Sequence, residues 1–298
     1  MLGRNDLALG TLLVVGSAVA YSLSGYFTRS IAADIWTVLF WRGLFGGLFI
    51  GACMVLQDGR NTLRGVLAIG KTGLLVTLFS TVATISYISA LRLAPVADVM
   101  TVHAALPFVT MILGVCFVGE REDWTTWAAA VAASVGVMVI FDSRSDTLHL
   151  AGYVLAIVMV LSYAAMLVVI RKNRDVSMLP AACLSGLLCA LLAFPLAAPS
   201  MVGAGGMPKL VMFGTIQFGG ALMLMAWGAR LVSAPRAALI GSIENPLAPL
   251  WVWLAFGESP SLSTWIGGSI VMTAVFTDVL IKSRRASVVR GSSPGSDG

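Results

Sequence analysis

The sequence predicts an all-α integral membrane protein of ten transmembrane helices, arranged as two inverted five-helix repeats. Three observations carry this prediction. The apolar content exceeds what a soluble fold of this size can bury, ten apolar stretches have the length of a membrane span, and the chain matches itself at a shift near 140 residues.

Composition comes first. Apolar residues make up 58% of the 298, charged residues 11%, and the mean hydropathy is +0.92. A soluble domain is roughly half apolar and a quarter charged, so the solvent that meets this surface is lipid. A net charge of +5 does not point to nucleic acid, because the basic residues are scattered in short loops between apolar runs. Cys53, Cys116, Cys183 and Cys189 all fall in apolar runs, with no C-x-x-C pair and no metal spacing. They read as small core residues. No cofactor is expected.

A helix needs about 20 mostly apolar residues to cross the hydrocarbon core. That rule gives spans at 7–28, 35–56, 71–91, 95–118, 124–141, 150–170, 177–198, 210–229, 237–256 and 263–281. Polar clusters and turn formers fill the breaks, at 57–64, 119–123, 142–146, 171–175, 203–208 and 257–263. Residues 282–298 are polar, basic and rich in Gly and Ser, and are expected as a disordered cytoplasmic tail. Arg4, the apolar stretch after it and residues 18–20 (AVA) resemble a cleaved signal peptide. The first span is instead read as retained, because it has a repeat partner.

With the N-terminus inside, fourteen of the 19 Lys and Arg fall in inner segments and four in outer ones, with Arg42 inside a span. That bias in short loops places both termini in the cytoplasm, as in a multi-pass protein of the cell inner (plasma) membrane.

The internal match is ordered. At a shift of 138, FVGE at 117–120 corresponds to AFGE at 255–258, Trp127 to Trp265 and Arg92 to Arg230. At a shift of 142, Gly10 corresponds to Gly152, Tyr21 to Tyr163 and Arg29 to Arg171. The repeats are therefore 1–145 and 146–281. Five spans per copy force the second to enter the membrane upside down. Inverted repeats of this kind are a recurring device for opening a central site to either side in turn.

Polar residues inside the spans mark that site. Glu244 lies near mid-membrane, where an ionised carboxylate usually faces a cavity or a partner, with Asn245, Pro246 and Pro249 just beyond it. It reads as proton-titrating or cation-binding, against a structural ion pair. His103 on the fourth span reads as a proton relay or as a histidine that merely satisfies a neighbour. Gln217 contacts substrate or links two helices. Tyr21, Tyr87 and Tyr163 stack on substrate or pack the interior. Asp98, nearer a span end, reads equally as solvated. Arg42 reads as an anion ligand or as a cation that snorkels or pairs with an acid, and the structural role is preferred. Glu120 and Glu258 sit at loop edges and are expected to anchor loops or cap helices. Gly43, Gly47 and Gly51, and Ala128, Ala132 and Gly136, form small-residue stripes. They are expected to pack within one chain, with a homodimer face as the alternative.

Residues 244–258 (ENPLAPLWVWLAFGE) resemble the helix-nine signature of EamA-type carriers in the drug/metabolite transporter superfamily. Residues 106–120, the ALRLAP run at 90–95 and Trp41-Arg42-Gly43 fit the same pattern. Asn245 departs from it, standing where a proline often follows the acid. The resemblance implies proton- or exchange-linked movement of small polar or amphipathic metabolites, amino acids among them, with export frequent. The expected partners are a small-molecule substrate and the lipid bilayer. No P-loop, nucleophile elbow or H-E-x-x-H appears, so neither ATP drive nor catalysis is expected.

Overall fold

The computed structural model describes residues 4–59, 69–119, 123–141, 147–173 and 178–291. Ten helical segments form from the ten apolar runs. We label them α1 (Arg4–Ser22 and Ser24–Ser30), α2 (Ile35–Asp58), α3 (Gly70–Leu93), α4 (Val96–Ala104 and Leu106–Val118) and α5 (Trp124–Phe141). The second set is α6 (Thr147–Lys172), α7 (Met178–Ala193), α8 (Gly206–Met212, a π-helical stretch Phe213–Gly220, and Ala221–Gly228), α9 (Ala234–Gly241 and Glu244–Phe256) and α10 (Leu262–Gly291). Nine are long and apolar enough to cross a membrane, and α5 contributes a shorter apolar helix, Trp124–Ile140. The chain is a multi-pass, all-helical membrane protein.

The ends fall within a few residues of those expected. The clearest difference is α10, which continues helical to Gly291, over ten residues of the expected tail. The boundary at 145/146, Glu120 and the loop residues Arg60, Arg64, Arg121, Arg144 and Arg174 lie outside the described residues. Cys183 and Cys189 are buried as expected, but Cys116 is exposed on the lipid-facing surface and Cys53 is intermediate. A thiol is apolar enough to face hydrocarbon, so an apolar run alone does not separate core from lipid contact.

The helices pack in pairs: α3 on α6, α1 on α8, α2 on α7, α5 on α10 and α4 on α9. Replacing each helix by the one five further along maps this set onto itself. Individual contacts obey the same exchange. A Cβ on Gly10 would strike Leu231 and Val232, and a Cβ on Gly152 would strike Leu93 and Ala94. These are the residues the shifts of 142 and 138 pair. The stripe on α2 packs within the chain: Gly43 meets the Gly186 carbonyl, and Gly47 meets Leu187 on α7. Gly136 likewise abuts the Gly267 carbonyl across α5 and α10.

Helix ends follow local chemistry. Gly119 and Gly257 take left-handed φ values of 75° and 69°, each closing a helix at the equivalent place in its repeat. A side chain is strained in that conformation, which explains the Gly of both Gly-Glu pairs. Prolines set the breaks in α4 and α9. Pro107 and Pro246 have no N–H to return to the carbonyls of His103 and Ser242, four residues back. The Ser242 carbonyl is taken instead by Asn245, through its backbone N–H at 3.2 Å and Nδ2 at 3.3 Å.

Asp34 caps α2. Its Oδ1 accepts the Thr37 N–H at 2.9 Å and Oδ2 the Thr37 hydroxyl at 2.5 Å, while Thr37 Oγ1 accepts the Ala198 N–H at 2.8 Å. Burial pushes this carboxyl up, but the Thr37 bonds outweigh it and hold it below its ordinary value. Its contribution is therefore full above the unfolded carboxylate range and lost as pH falls through the folded value. Asp34→Ala is expected to cost about 1 kcal/mol, read as a lower melting temperature at pH 7 in detergent, with the gap to wild type narrowing in acid.

Candidate substrate-binding site

The breaks in α4 and α9 face one another, and the polar residues gather there. His103 is the penultimate residue of the first half of α4 and Glu244 opens the second half of α9. Their closest approach, Nδ1 to Oε1, is 3.8 Å. His103 Nδ1 also lies 3.1 Å from Asn245 Oδ1. Because Asn245 Nδ2 is spent on the Ser242 carbonyl, Oδ1 is the atom turned to the imidazole, and Nδ1 donates the proton. Beyond His103, no other cationic side chain approaches Glu244 within ion-pair distance among the described residues.

Aromatic rings enclose this pair. Tyr163 of α6 stacks on His103 with centroids 6.1 Å apart and planes 22° off parallel, and Tyr87 of α3 lies at the same distance, tilted 35°. The Tyr87 and Ser24 hydroxyls share a hydrogen bond of 2.6 Å, and the Tyr87 hydroxyl also reaches Met100 Sδ at 3.4 Å. Tyr21, Tyr87 and Tyr163 all sit within electrostatic reach of the Glu244 carboxylate. Trp251 Nε1 donates to Ser22 Oγ at 2.9 Å, tying α9 to the break in α1.

Gln217 lies in the π-helical stretch of α8, 1% exposed. Its Oε1 accepts Arg42 Nη2 at 3.2 Å and its Nε2 donates to the Tyr21 carbonyl at 3.2 Å. One extra residue per turn re-aims a side chain, and such bulges recur at functional sites. All seven residues singled out from the sequence, Glu244, Asn245, His103, Gln217, Tyr21, Tyr87 and Tyr163, are brought together here from α1, α3, α4, α6, α8 and α9.

Two readings change. Asp98 is not solvated: it is 4% exposed, accepting the Tyr153 hydroxyl at 2.8 Å and a short bond from the Thr264 hydroxyl, so it ties α4 to α6 and α10. Among the described residues Arg42 pairs with no acid, and it does not snorkel. It is 4% exposed, with its guanidinium carbon 5.0 Å and 4.6 Å from the ring centres of Phe213 and Phe218. Ser22, Ser24 and Trp251 were missed, since single serines and a tryptophan in apolar runs carry no signal until the helices meet.

One end of the bundle is sealed. Arg29 donates from Nε to Glu258 Oε2 at 2.9 Å and from Nη2 to Oε1 at 3.3 Å, and also reaches the Ala94 carbonyl at 3.0 Å. Glu258 Oε1 accepts the Val96 N–H at 2.9 Å, capping α4. Arg92 donates to the Ile31 carbonyl at 2.8 Å and Lys209 to the Ser30 carbonyl at 3.0 Å. From this end down to the breaks, α4 is almost wholly buried.

A polar cluster flanked by aromatic rings, at the facing breaks of two helices in a ten-helix bundle, is the architecture of a membrane transporter. The description "EamA-like transporter family" matches residues 8–142 and again 150–278, so the chain belongs to that family. Among relatives, an "Uncharacterized transporter" of Archaeoglobus fulgidus is 28% identical over 282 residues, covering 89% of this chain and 94% of its own. An "S-adenosylmethionine uptake transporter" of Rickettsia prowazekii is 24% identical over 287 residues, covering 95% of each chain. A "Riboflavin transporter" of Rhizobium johnstonii is 22% identical, covering 89% of each. A solved structure titled "Crystal structure of protein" aligns with a TM-score of 0.62 at 21% identity, over 95% of this chain and 99% of that one.

Gln217→Leu removes the acceptor that the buried Arg42 guanidinium uses. It is expected to cost roughly 1–3 kcal/mol, seen as a lowered melting temperature in detergent, whereas Ile216→Leu on the exposed face leaves it unchanged.

Proposed function

We propose that the protein is a secondary-active carrier of small polar or amphipathic metabolites, working by alternating access, with Glu244 as the coupling group. The single observation that carries this reading is the Glu244–His103 pair, held at matching breaks of α4 and α9. A carboxylate out of water with no Lys or Arg beside it needs a proton or an incoming cation. Competition between those two occupants is a coupling mechanism. His103, donating from Nδ1 to Asn245, keeps its ring fixed beside the acid, within reach of a shared proton.

Alternating access follows from the paired packing. On this reading residues 1–145 and 146–281 are the two inverted repeats, and both termini are cytoplasmic in the inner membrane. The Arg29 cluster then closes the outer side, and the chamber is approached from the cytoplasm. The names of the relatives, S-adenosylmethionine and riboflavin carriers, support metabolites of that size as cargo.

Proteoliposomes with an imposed pH gradient test the coupling. Glu244→Gln is expected to keep saturable counterflow but lose gradient-driven accumulation; full gradient-dependent flux in this variant sinks the role. Opening of the seal is read separately. Arg29→Gln breaks the ion pair, and a cysteine placed at Ser24 is expected to react faster with a membrane-impermeant thiol reagent from the outer side. An unchanged rate in that variant shows that the cluster is not a gate.

A further inference from the structure

The two broken helices are not packed alike. The first half of α4, Val96–Ala104, is buried at every residue but His103, and it lies against α6, α10 and the second half of α9. Its equivalent at the shift of 138 is the first half of α9, Ala234–Gly241. That piece packs on α1, the counterpart of α6, and on α10, but none of its described residues is buried. Ala238, which corresponds to the buried Met100, is exposed. Two contacts of α4 thus lack their counterparts. Neither α5 nor the second half of α4 packs on the first half of α9 in the way that α10 and the second half of α9 pack on the first half of α4. An interface that one repeat makes and the other leaves open is what a rocking carrier presents in either end state.

One bond in the packed repeat shows what closure of the other brings together. Asp98 of α4 accepts the hydroxyl of Thr264, at the start of α10. At the shift of 138, Thr264 corresponds to Thr126 and Asp98 to Arg236. The threonine is common to both halves, and a basic residue stands in place of the acid. Thr126 is buried at the start of α5, where its hydroxyl donates to Oδ1 of the buried Asp278 of α10 at 2.8 Å. A guanidinium brought to Thr126, as Asp98 is brought to Thr264, therefore meets a carboxylate already held there. Arg236 is exposed and forms no ion pair among the described residues, while its helix already rests on α10. The cations of the Arg29 cluster repeat in the same manner. Arg29, Arg92 and Lys209 correspond to Arg171, Arg230 and Lys71, at shifts of 142, 138 and 138. The Ile31 and Ser30 carbonyls that Arg92 and Lys209 hold correspond to those of Asn173 and Lys172, at the end of α6.

We propose that the first half of α9 is the inner gate, which closes on α5 and on the second half of α4 in the outward-open state and is latched there by Arg236 on the Asp278 carboxylate beside Thr126. Arg236 is a positioning residue for that state and touches no substrate. Opening returns its guanidinium to water and leaves Asp278 the bond from Thr126 that it holds here, so the latch parts without stranding a charge. The inference rests on the carrier reading above and goes beyond it, by naming the moving element and its latch.

The test uses the full chain in liposomes, with Thr126→Cys and Arg236→Cys and a short bifunctional thiol reagent. Peptide mass spectrometry identifies the 126–236 link, so the four native cysteines are kept. The link is expected to accumulate with time, and to fall by roughly tenfold or more once cysteines at Arg29 and Glu258 have been joined, because one closed end excludes the other. Where Thr126→Cys does not fold, Thr110→Cys with Ala237→Cys reads the same closure; these positions correspond to Ala248 and Val99, which share one apolar cluster. Outward opening is read separately, as labelling of Ser24→Cys by a membrane-impermeant reagent added outside. Adding Arg236→Gln is expected to slow that labelling by up to about fivefold, the most that a partly exposed ion pair contributes, and Arg236→Lys to restore most of it. Labelling of Ser24→Cys with no link across the inner end overturns the gate and leaves the carrier reading intact. So does a link that forms equally with the outer end locked, or an Arg236→Gln protein labelled at an unchanged rate. If the outer side is never labelled and no link forms, alternating access itself fails.

Discussion

The hydrocarbon core contains no water, so every backbone N–H and C=O within it must find a partner inside the protein. The rest of the structure depends on that constraint. It forces ten helices from ten apolar runs, and it makes any break in a helix costly unless the freed groups are satisfied. In α9 the Ser242 carbonyl, freed by Pro246, is taken by both nitrogens of Asn245. The same Asn245 then presents its oxygen to His103. Repair of the backbone and construction of the site are one set of bonds.

The two halves share a scaffold and differ where the chemistry lies. At the shift that aligns their Gly-Glu turns, Glu244 corresponds to Leu106 and His103 to Gly241. The breaks are equivalent, the Gly caps are equivalent, and the glycine contacts at Gly10 and Gly152 are equivalent. The charged and titratable groups are not. The packing is thus common to both halves, whereas Glu244, His103 and Arg42 each stand on one side alone. Tyr21 and Tyr163 are the exception, tyrosines at corresponding positions of the two halves and both within electrostatic reach of Glu244.

The seal at one end is built from a different principle. Arg29 and Glu258 are each only partly buried, with side chains 25% and 28% exposed. An ion pair in that setting is worth little by itself, but here it also gathers the Ala94 carbonyl and the Val96 N–H, the last and first groups of neighbouring helices. The cluster is weak per bond but extensive in reach, and it joins α1, α3, α4 and the loop after α9.

The sequence alone determined the class of the protein, because hydropathy and length answer to one solvent and need no tertiary information. The ten helical spans were legible, and so were the individual polar residues from Tyr21 to Glu244 as candidates, since a polar residue in lipid announces itself. What a span-by-span reading leaves open is which of those residues share a space. Asp98 could be read equally as solvated until Tyr153 and Thr264 were found bonded to it. Arg42 was expected to snorkel or pair with an acid, but its surroundings hold aromatic rings and an amide and, among the described residues, no acid. Only the tertiary structure decided these, for a physical reason: the cost of a buried charge depends on what stands opposite it, and for both residues those partners come from the far half of the chain.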